Sequence, residues 1–282
     1  MKQRVVEVRP SVFFGTTFLL SWAVWVPLML IRLGVLPQVI PVSALTPLAL
    51  PGVLMPCLAA TVLTARASGR EGVRRLYARL LVWRVGRWWL AVLAVQPAVL
   101  LVAAVSYNAL GRADEVVPVA GLAVGALATS AVFLLVASTG EEVGWRGLAL
   151  PALQAQGGPV RASVVLGLVT ATWHVPYWVL QGVLADHGPV YLALDYVFVL
   201  ALTFQLTWLV NHTGGSVLVA VVFHLVFNIV NVTVLPVTAS VGAFAMLTAL
   251  ECAIALALLG RLDRQVDDGR PVGAAWSPRA EA

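Results

Sequence analysis

Two adjacent carboxylates and an arginine interrupt a long apolar run of this sequence. Glu141, Glu142 and Arg146 lie between Val116 and Leu153, where most neighbouring residues are apolar. Ionisable side chains at membrane depth are costly, so they indicate a functional site by default. On a helix, Glu142 and Arg146 are four positions apart and can form an ion pair. Glu141 lies about 100° around the helix from Glu142, so it can face a different partner.

Other polar side chains lie in the apolar segments that follow. His174 lies late in one segment, and His224 and Asn228 are four positions apart in another, which places both on one helix face. Asp195 lies in the segment between them. Measured from the predicted cytoplasmic ends, Glu141 lies roughly 15 Å deep at 1.5 Å per residue, and the two histidines lie at similar depths. The sequence therefore predicts that these groups converge on one buried cavity.

These residue types suit hydrolysis inside a cavity of low dielectric constant. Glu141 can act as a general base for water, and His174 can orient that water or protonate the leaving group. His224 and Asn228 form a donor pair suited to a developing oxyanion. Alternatively, Glu141, His174 and His224 form a zinc-binding set that leaves a position open for water.

Each of these residues also has a structural explanation. A single histidine or asparagine in a membrane span is more often an interhelical hydrogen-bond partner than a catalytic group. The ion pair of Glu142 is expected to be structural, because pairing makes this carboxylate a poorer base. Asp195 is a weaker candidate for lining the cavity. Glu251 is expected at the membrane interface, and His187 and His212 in solvated loops. The occurrence of such residues together in three helices favours a catalytic role over a structural one.

The composition is typical of a polytopic membrane protein. Of 282 residues, 60% are hydrophobic and 11% are charged, and the mean hydropathy is +0.92. Soluble domains contain about 25% charged residues. A spanning helix needs roughly 20 mostly apolar residues, and the expected fold is an all-α bundle of about eight spans. Seven of them lie near 12–32, 46–65, 87–107, 161–181, 190–210, 215–235 and 239–260. The fourth starts near Val116, and Pro151 offers a possible stop.

Arginines predict the orientation of the chain in the membrane. The segment between spans two and three carries only Glu71 against six arginines, Arg66, Arg70, Arg74, Arg75, Arg79 and Arg84. Short loops rich in arginine stay in the cytoplasm, so both termini are expected there, in a multi-pass protein of the cell membrane. The segment is either an amphipathic helix on anionic lipid or a plain charged loop. Residues 1–11 form a predicted N-terminal tail, 12–260 the membrane domain, and 261–282 a disordered tail.

Several other classes of function are disfavoured. The pI of about 9.8 reflects arginines in short loops, so we expect the lipid bilayer, and not nucleic acid, as a partner. Cys57 and Cys252 both lie in apolar runs and form neither a disulfide framework nor a metal-binding pair. The excess of arginine over lysine indicates a bacterial chain. Motifs of the form HExxH, GxSG and GxGD, typical of other membrane proteases, are absent.

The order of the motifs resembles the CPBP intramembrane proteases, also called the type II CAAX prenyl endopeptidase or bacteriocin-processing (Abi) family. Glu141-Glu142-Val-Gly-Trp-Arg146 matches the first motif of that family. His224-Leu-Val-Phe-Asn228 matches the third motif, and residues 213–220 are similar to its lead-in. The resemblance covers roughly residues 116–235.

The second motif of the family departs from its usual form in this sequence. It is usually Phe-x-x-x-His, whereas Thr170 stands four positions before His174. The departure concerns the local packing around the histidine and leaves the histidine itself in place.

The resemblance implies an intramembrane endopeptidase acting on a peptide or membrane-protein substrate. It implies that Glu141 activates water with His174, that His224 and Asn228 bind the oxyanion, and that two residues support the architecture, namely Glu142 and Arg146. Family members are labelled metalloproteases, and a metal-independent glutamate mechanism has also been proposed for them, so zinc and no metal both stay open. The alternative function is a non-catalytic membrane protein that binds a partner, conducts protons or confers bacteriocin immunity through the same cavity.

Overall fold

The computed structural model describes residues 8–112, 116 and 124–267, and it is helical with no strand in those ranges. The predicted all-α bundle is therefore confirmed. Short π-helical or 3₁₀ turns follow several of the helices. The helices are α1 Pro10–Arg32, α2 Val42–Ala78, α3 Trp88–Tyr107, α4 Val124–Gly144, α5 Leu150–Leu180, α6 Val183–His187, α7 Pro189–His212, α8 Val217–Ile229 and α9 Val241–Asp267.

Seven stretches of the described chain are long and apolar enough to cross a membrane. One of them, Ala128–Leu180, is 53 residues long and contains a backbone break at Gly157 and Gly158. Trp145 and Trp173 lie on opposite sides of this break, yet their ring centroids are 5.4 Å apart. The chain therefore folds back at the glycines, and this stretch supplies two antiparallel spans, in agreement with the prediction of about eight spans.

Pro151, the possible stop of the fourth span, does not end the helical structure. Helical structure continues through a π-helical turn, Trp145–Ala149, and Pro151 lies in the first turn of α5. Proline is tolerated in a first turn, because the N–H that it lacks would have no helical partner there. The predicted start of the span falls partly on residues 117–123, which lie outside the described ranges.

Two helices run further than the sequence predicts. The second span was expected to end near residue 65, but α2 continues to Ala78 with a bend at Gly69, whose φ is 63°. The plain-loop alternative is thus wrong for residues 66–78. Likewise, α9 reaches Asp267, so the first residues of the predicted disordered tail are helical. The remainder of both predicted tails, 1–7 and 268–282, lies outside the described residues.

Three fully buried tryptophans form the centre of the bundle. Trp173 lies 4.5 Å from Trp25 and 5.4 Å from Trp145, measured between ring centroids. The indole N–H of Trp25 donates to the Ala49 carbonyl at 2.9 Å. This cluster joins α1, α2 and α5 to the π-helical turn, and it holds the adjacent acidic and histidine residues of α4 and α5 side by side.

Candidate active site

Two glycines of α4 bring this helix into direct contact with α2. A Cβ atom at Gly140 would lie 2.7 Å from the side chain of Leu54, and one at Gly144 would lie 2.7 Å from the backbone of Pro56. Small residues at this spacing allow close helix packing in membranes. The Gly-x-x-x-Gly spacing of these residues is visible in the sequence and is the signal from which this contact could be predicted. Close packing on this side leaves the two glutamates between the glycines buried.

Glu142 is the centre of a buried charged cluster. Its Oε1 atom accepts hydrogen bonds from the Arg146 guanidinium at 3.1 Å and from Nδ1 of His224 at 2.9 Å. The second amino group of Arg146 donates to Thr203 Oγ1 at 3.3 Å, which ties the cluster to α7. The predicted ion pair is therefore present. The partnership with His224 was not predicted, and it fixes the orientation of that imidazole.

Glu141 faces His174 across a short gap. Glu141 Oε2 and His174 Nε2 are 3.6 Å apart, which is too long for a direct hydrogen bond. His174 Nδ1 lies 2.9 Å from the Thr170 carbonyl, which can only accept, so Nδ1 carries a hydrogen. Trp173 and Trp178 flank the imidazole at centroid distances of 4.5 and 5.2 Å. Because the bond to residue 170 uses the backbone, the departure from phenylalanine leaves it intact.

The structure brings most of the predicted site residues together. The contacts Glu141–His174 and Glu142–His224 join α4 to α5 and α8. Asn228 lies one turn after His224 on α8 and is half-buried, and no described residue hydrogen-bonds to its side chain.

Asp195, the weaker candidate, does not join this cluster. It is buried in α7 with 7% of its surface exposed. Within the described chain, no hydrogen bond or ion pair links it to the glutamates or histidines, and its Oδ2 atom has no hydrogen-bond partner. The geometry therefore gives it no part in the site.

Glu251 is not at the membrane interface, contrary to the expectation from its sequence position. It is fully buried in α9 and accepts a short hydrogen bond from the amide of Gln205 in α7. The amide of Gln96 in α3 donates to Gln205 Oε1 at 3.4 Å. A sequence pattern cannot reveal this network, because its three members come from three helices.

The two remaining histidines lie at helix ends and are half-buried, so the expectation that they lie in loops is wrong. His212 ends α7, and its ring packs against those of Trp208 and Trp88 at centroid distances of 4.2 and 5.2 Å. His187 ends α6 and stacks on Tyr191 at 4.7 Å. Neither lies in the glutamate cluster.

The site residues match a metal centre only in part. Glu142 accepts a hydrogen bond from Nδ1 of His224, and the Thr170 carbonyl accepts one from Nδ1 of His174. Metal-binding histidines are oriented by acceptors in the same way. However, no three His, Cys, Asp or Glu side chains in the described residues lie close enough together to hold a metal ion. The implied set, Glu141, His174 and His224, therefore does not form a closed ligand group.

An open cavity of about 590 Å³ lies between α2 and α4, beside the first motif. Its wall is mostly apolar, and Gly140 forms part of it, one residue before Glu141. The polar groups in the wall include Cys57, Thr61 and the Tyr77 hydroxyl. The hydroxyls of Thr61 and Tyr77 are hydrogen-bonded to each other at 2.8 Å. The cavity therefore offers a largely apolar surface along α2 and α4, and neither carboxylate is part of its wall.

The fold and the site together define a polytopic membrane protein with a buried cluster of glutamates and histidines. Comparisons with known proteins agree with this class. The family described as type II CAAX prenyl endopeptidase Rce1-like matches residues 123–230. A protein named CAAX prenyl protease 2, from Methanococcus maripaludis, is 24% identical over 231 residues, covering 79% of this chain and 84% of that protein.

These matches support the resemblance read from the motifs, which is to the CPBP family of membrane proteases. They do not favour the non-catalytic alternative.

Proposed function

We propose that the chain hydrolyses a peptide bond inside the membrane, using Glu141 and His174 to activate water. The observation that carries the proposal is the 3.6 Å separation between Glu141 Oε2 and His174 Nε2. The neutral imidazole, with its hydrogen on Nδ1, presents a lone pair at Nε2. One water molecule can therefore donate a hydrogen to each of the two atoms and keep its own lone pairs directed at a substrate carbonyl.

The proton transfers balance without any other reagent. As the water oxygen bonds to the carbonyl carbon, its proton moves to Glu141 and the carbonyl oxygen becomes an oxyanion. When the C–N bond breaks, Glu141 returns this proton to the leaving nitrogen. His174 keeps the water oriented throughout, because Thr170 and two tryptophans fix its ring.

His224 and Asn228 supply the donors for the oxyanion in this proposal. Nδ1 of His224 is committed to Glu142, so donation from Nε2 requires the imidazolium form. The cluster supports that charge. Two carboxylates, Arg146 and a protonated His224 sum to zero, which reduces the cost of burying them.

The substrate class that we propose is supported by the cavity and by one relative. An apolar cavity beside Gly140 favours a peptide that is anchored in the membrane by an apolar group. The relative named CAAX prenyl protease 2 makes a lipidated C-terminus the first substrate to test. A membrane-spanning peptide without a lipid is the second.

The decisive experiment compares purified wild type and Glu141→Gln in detergent, on quenched peptides with and without a farnesyl group. We expect the wild type to cleave and the variant to lose at least about 100-fold in turnover, the usual contribution of a general base. Glu71→Gln is the matched control, because Glu71 is exposed and, among the described residues, its ion pairs are with Arg74 and Arg75. Turnover by Glu141→Gln at the wild-type rate would refute the proposal.

A chelator in the same assay tests the role of metal. Direct activation of water by Glu141 and His174 predicts unchanged cleavage. Loss of cleavage on chelation, with recovery on adding zinc, would replace this mechanism with a metal-assisted one.

A further inference from the structure

One arginine of the segment between spans two and three behaves differently from its neighbours. Arg66, Arg70 and Arg74 are exposed, and Arg74 pairs with Glu71 at 2.8 Å. Arg79, directly after α2, turns into the bundle instead and is half-buried. Positive charge in a cytoplasmic loop therefore does not explain this residue.

The guanidinium of Arg79 joins the two motif segments through their backbones. One of its amino groups donates to the Gly147 carbonyl at 2.7 Å, one residue after Arg146. Its Nε donates to the Gly215 carbonyl at 2.8 Å, in the turn that leads into the helix of His224. A single side chain thus connects the end of the first motif with the start of the third.

The Gly147 carbonyl needs such a donor. Its regular α-helical partner would be the N–H of residue 151, which is a proline and has none. An unpaired carbonyl inside a membrane protein is costly, so the guanidinium replaces the missing helical bond.

Glycines at both contact points leave space for α2 and for the side chain of Arg79. A Cβ at Gly147 would lie 2.9 Å from Leu76, and one at Gly215 would lie 3.2 Å from the Arg79 guanidinium. Gly215 also has a φ of 79°, which disfavours any other residue. The turn is fixed a second time by Ser216, whose hydroxyl donates to the Val82 carbonyl at 2.7 Å.

We infer that Arg79 is a positioning residue, which sets the register between the Glu141–Glu142 helix and the His224 helix. This inference rests on the proposed function. The distance it governs is that between Glu142 Oε1 and His224 Nδ1, 2.9 Å, which orients the oxyanion donor. A displacement of about 1 Å between reacting groups can cost about 100-fold in rate.

The kinetic test compares Arg79→Ala, Arg79→Lys and the exposed control Arg74→Gln. We expect Arg79→Ala to lower kcat by about 10- to 100-fold with KM within about threefold, because alignment and not substrate binding is lost. Lysine reaches only one carbonyl, so its variant should lie between alanine and wild type. Millimolar guanidinium should restore part of kcat to Arg79→Ala, and Arg74→Gln should match the wild type.

A second readout needs no turnover. The chain has four histidines, so nitrogen NMR of labelled histidine can resolve Nδ1 of His224. The chemical shift of this nitrogen should change in Arg79→Ala and should stay at the wild-type value in Arg74→Gln. If the wild type cleaves no peptide, the protease proposal fails. The chemical shift of His224 Nδ1 still tests whether Arg79 positions that histidine.

Two results would overturn the inference. The first is wild-type kcat together with an unmoved His224 signal in Arg79→Ala. The second is a loss of kcat that guanidinium does not restore, combined with a lowered unfolding temperature, which would make Arg79 a general stabiliser of the fold.

Discussion

At the scale of single residues, the two adjacent carboxylates of α4 differ in their partners. Glu141 faces His174 across a gap of 3.6 Å, whereas Glu142 accepts from both Arg146 and His224 on the same oxygen. The second carboxylate therefore neutralises a cation and orients a histidine, and it is unavailable as a base.

Replacing Glu142 by glutamine tests this division of roles. The amide keeps the shape but removes the negative charge, so the buried Arg146 loses its counter-charge. We expect a destabilisation of about 3–5 kcal/mol, measured by unfolding in mixed detergent micelles. Adding Arg146→Met should recover part of that loss, because the double variant buries no unpaired charge. A double variant less stable than the sum of the two single variants would contradict this account.

The residue types of the site were predictable, and their partners were predictable only in part. The pair of Glu142 and Arg146 follows from helical spacing within one segment. The contact between Glu142 and His224 joins positions 82 apart, and no local pattern encodes it. Asn228 was assigned by spacing and resemblance alone, and its role remains a prediction.

At the scale of elements, the packing of α4 on α2 decides where the carboxylates lie. Alanine at Gly144 would place a Cβ 2.7 Å from the Pro56 backbone, which cannot move as a side chain can. We expect Gly144→Ala to lower the free energy of unfolding by about 1–3 kcal/mol and to reduce turnover, because α4 must shift away from α2. Thermal unfolding and peptide cleavage measure the two effects.

Gly15→Ala is the matched control for that substitution. Gly15 lies inside α1, and a Cβ there would meet nothing within 4 Å. Since alanine favours helix over glycine, this variant should be as stable as the wild type or more stable by up to about 1 kcal/mol. Equal effects of the two substitutions would show that the close approach at Gly144 is unimportant.

Element boundaries show where sequence reasoning failed. Spans one, three, six and seven were located closely, because long apolar runs between turn residues determine them. Pro151, the possible stop of span four, does not end the helical structure, since this proline follows a π-helical turn and occupies a first turn. Arg79, the donor to the carbonyl that this proline leaves free, could not be found without the tertiary structure.

At the scale of the whole molecule, a second polar network holds the last helix to the bundle. Glu251 of α9 binds Gln205 of α7, and Gln205 is linked to Gln96 of α3. All three are buried, and no hydrogen bond among the described residues connects them to the glutamates of α4. We therefore expect the network to contribute to stability and assembly separately from catalysis.

Replacing Gln205 or Glu251 by leucine should separate the effect on stability from the effect on catalysis. Each single substitution leaves a buried polar partner unsatisfied, so we expect each to cost about 1–3 kcal/mol of unfolding free energy. The double variant removes both groups and should cost less than the sum, while kcat stays within about threefold of wild type. Strict additivity would show that the two side chains are not coupled. A large loss of turnover at unchanged stability would instead connect this network to the active site through α7, whose Thr203 binds Arg146 two positions before Gln205.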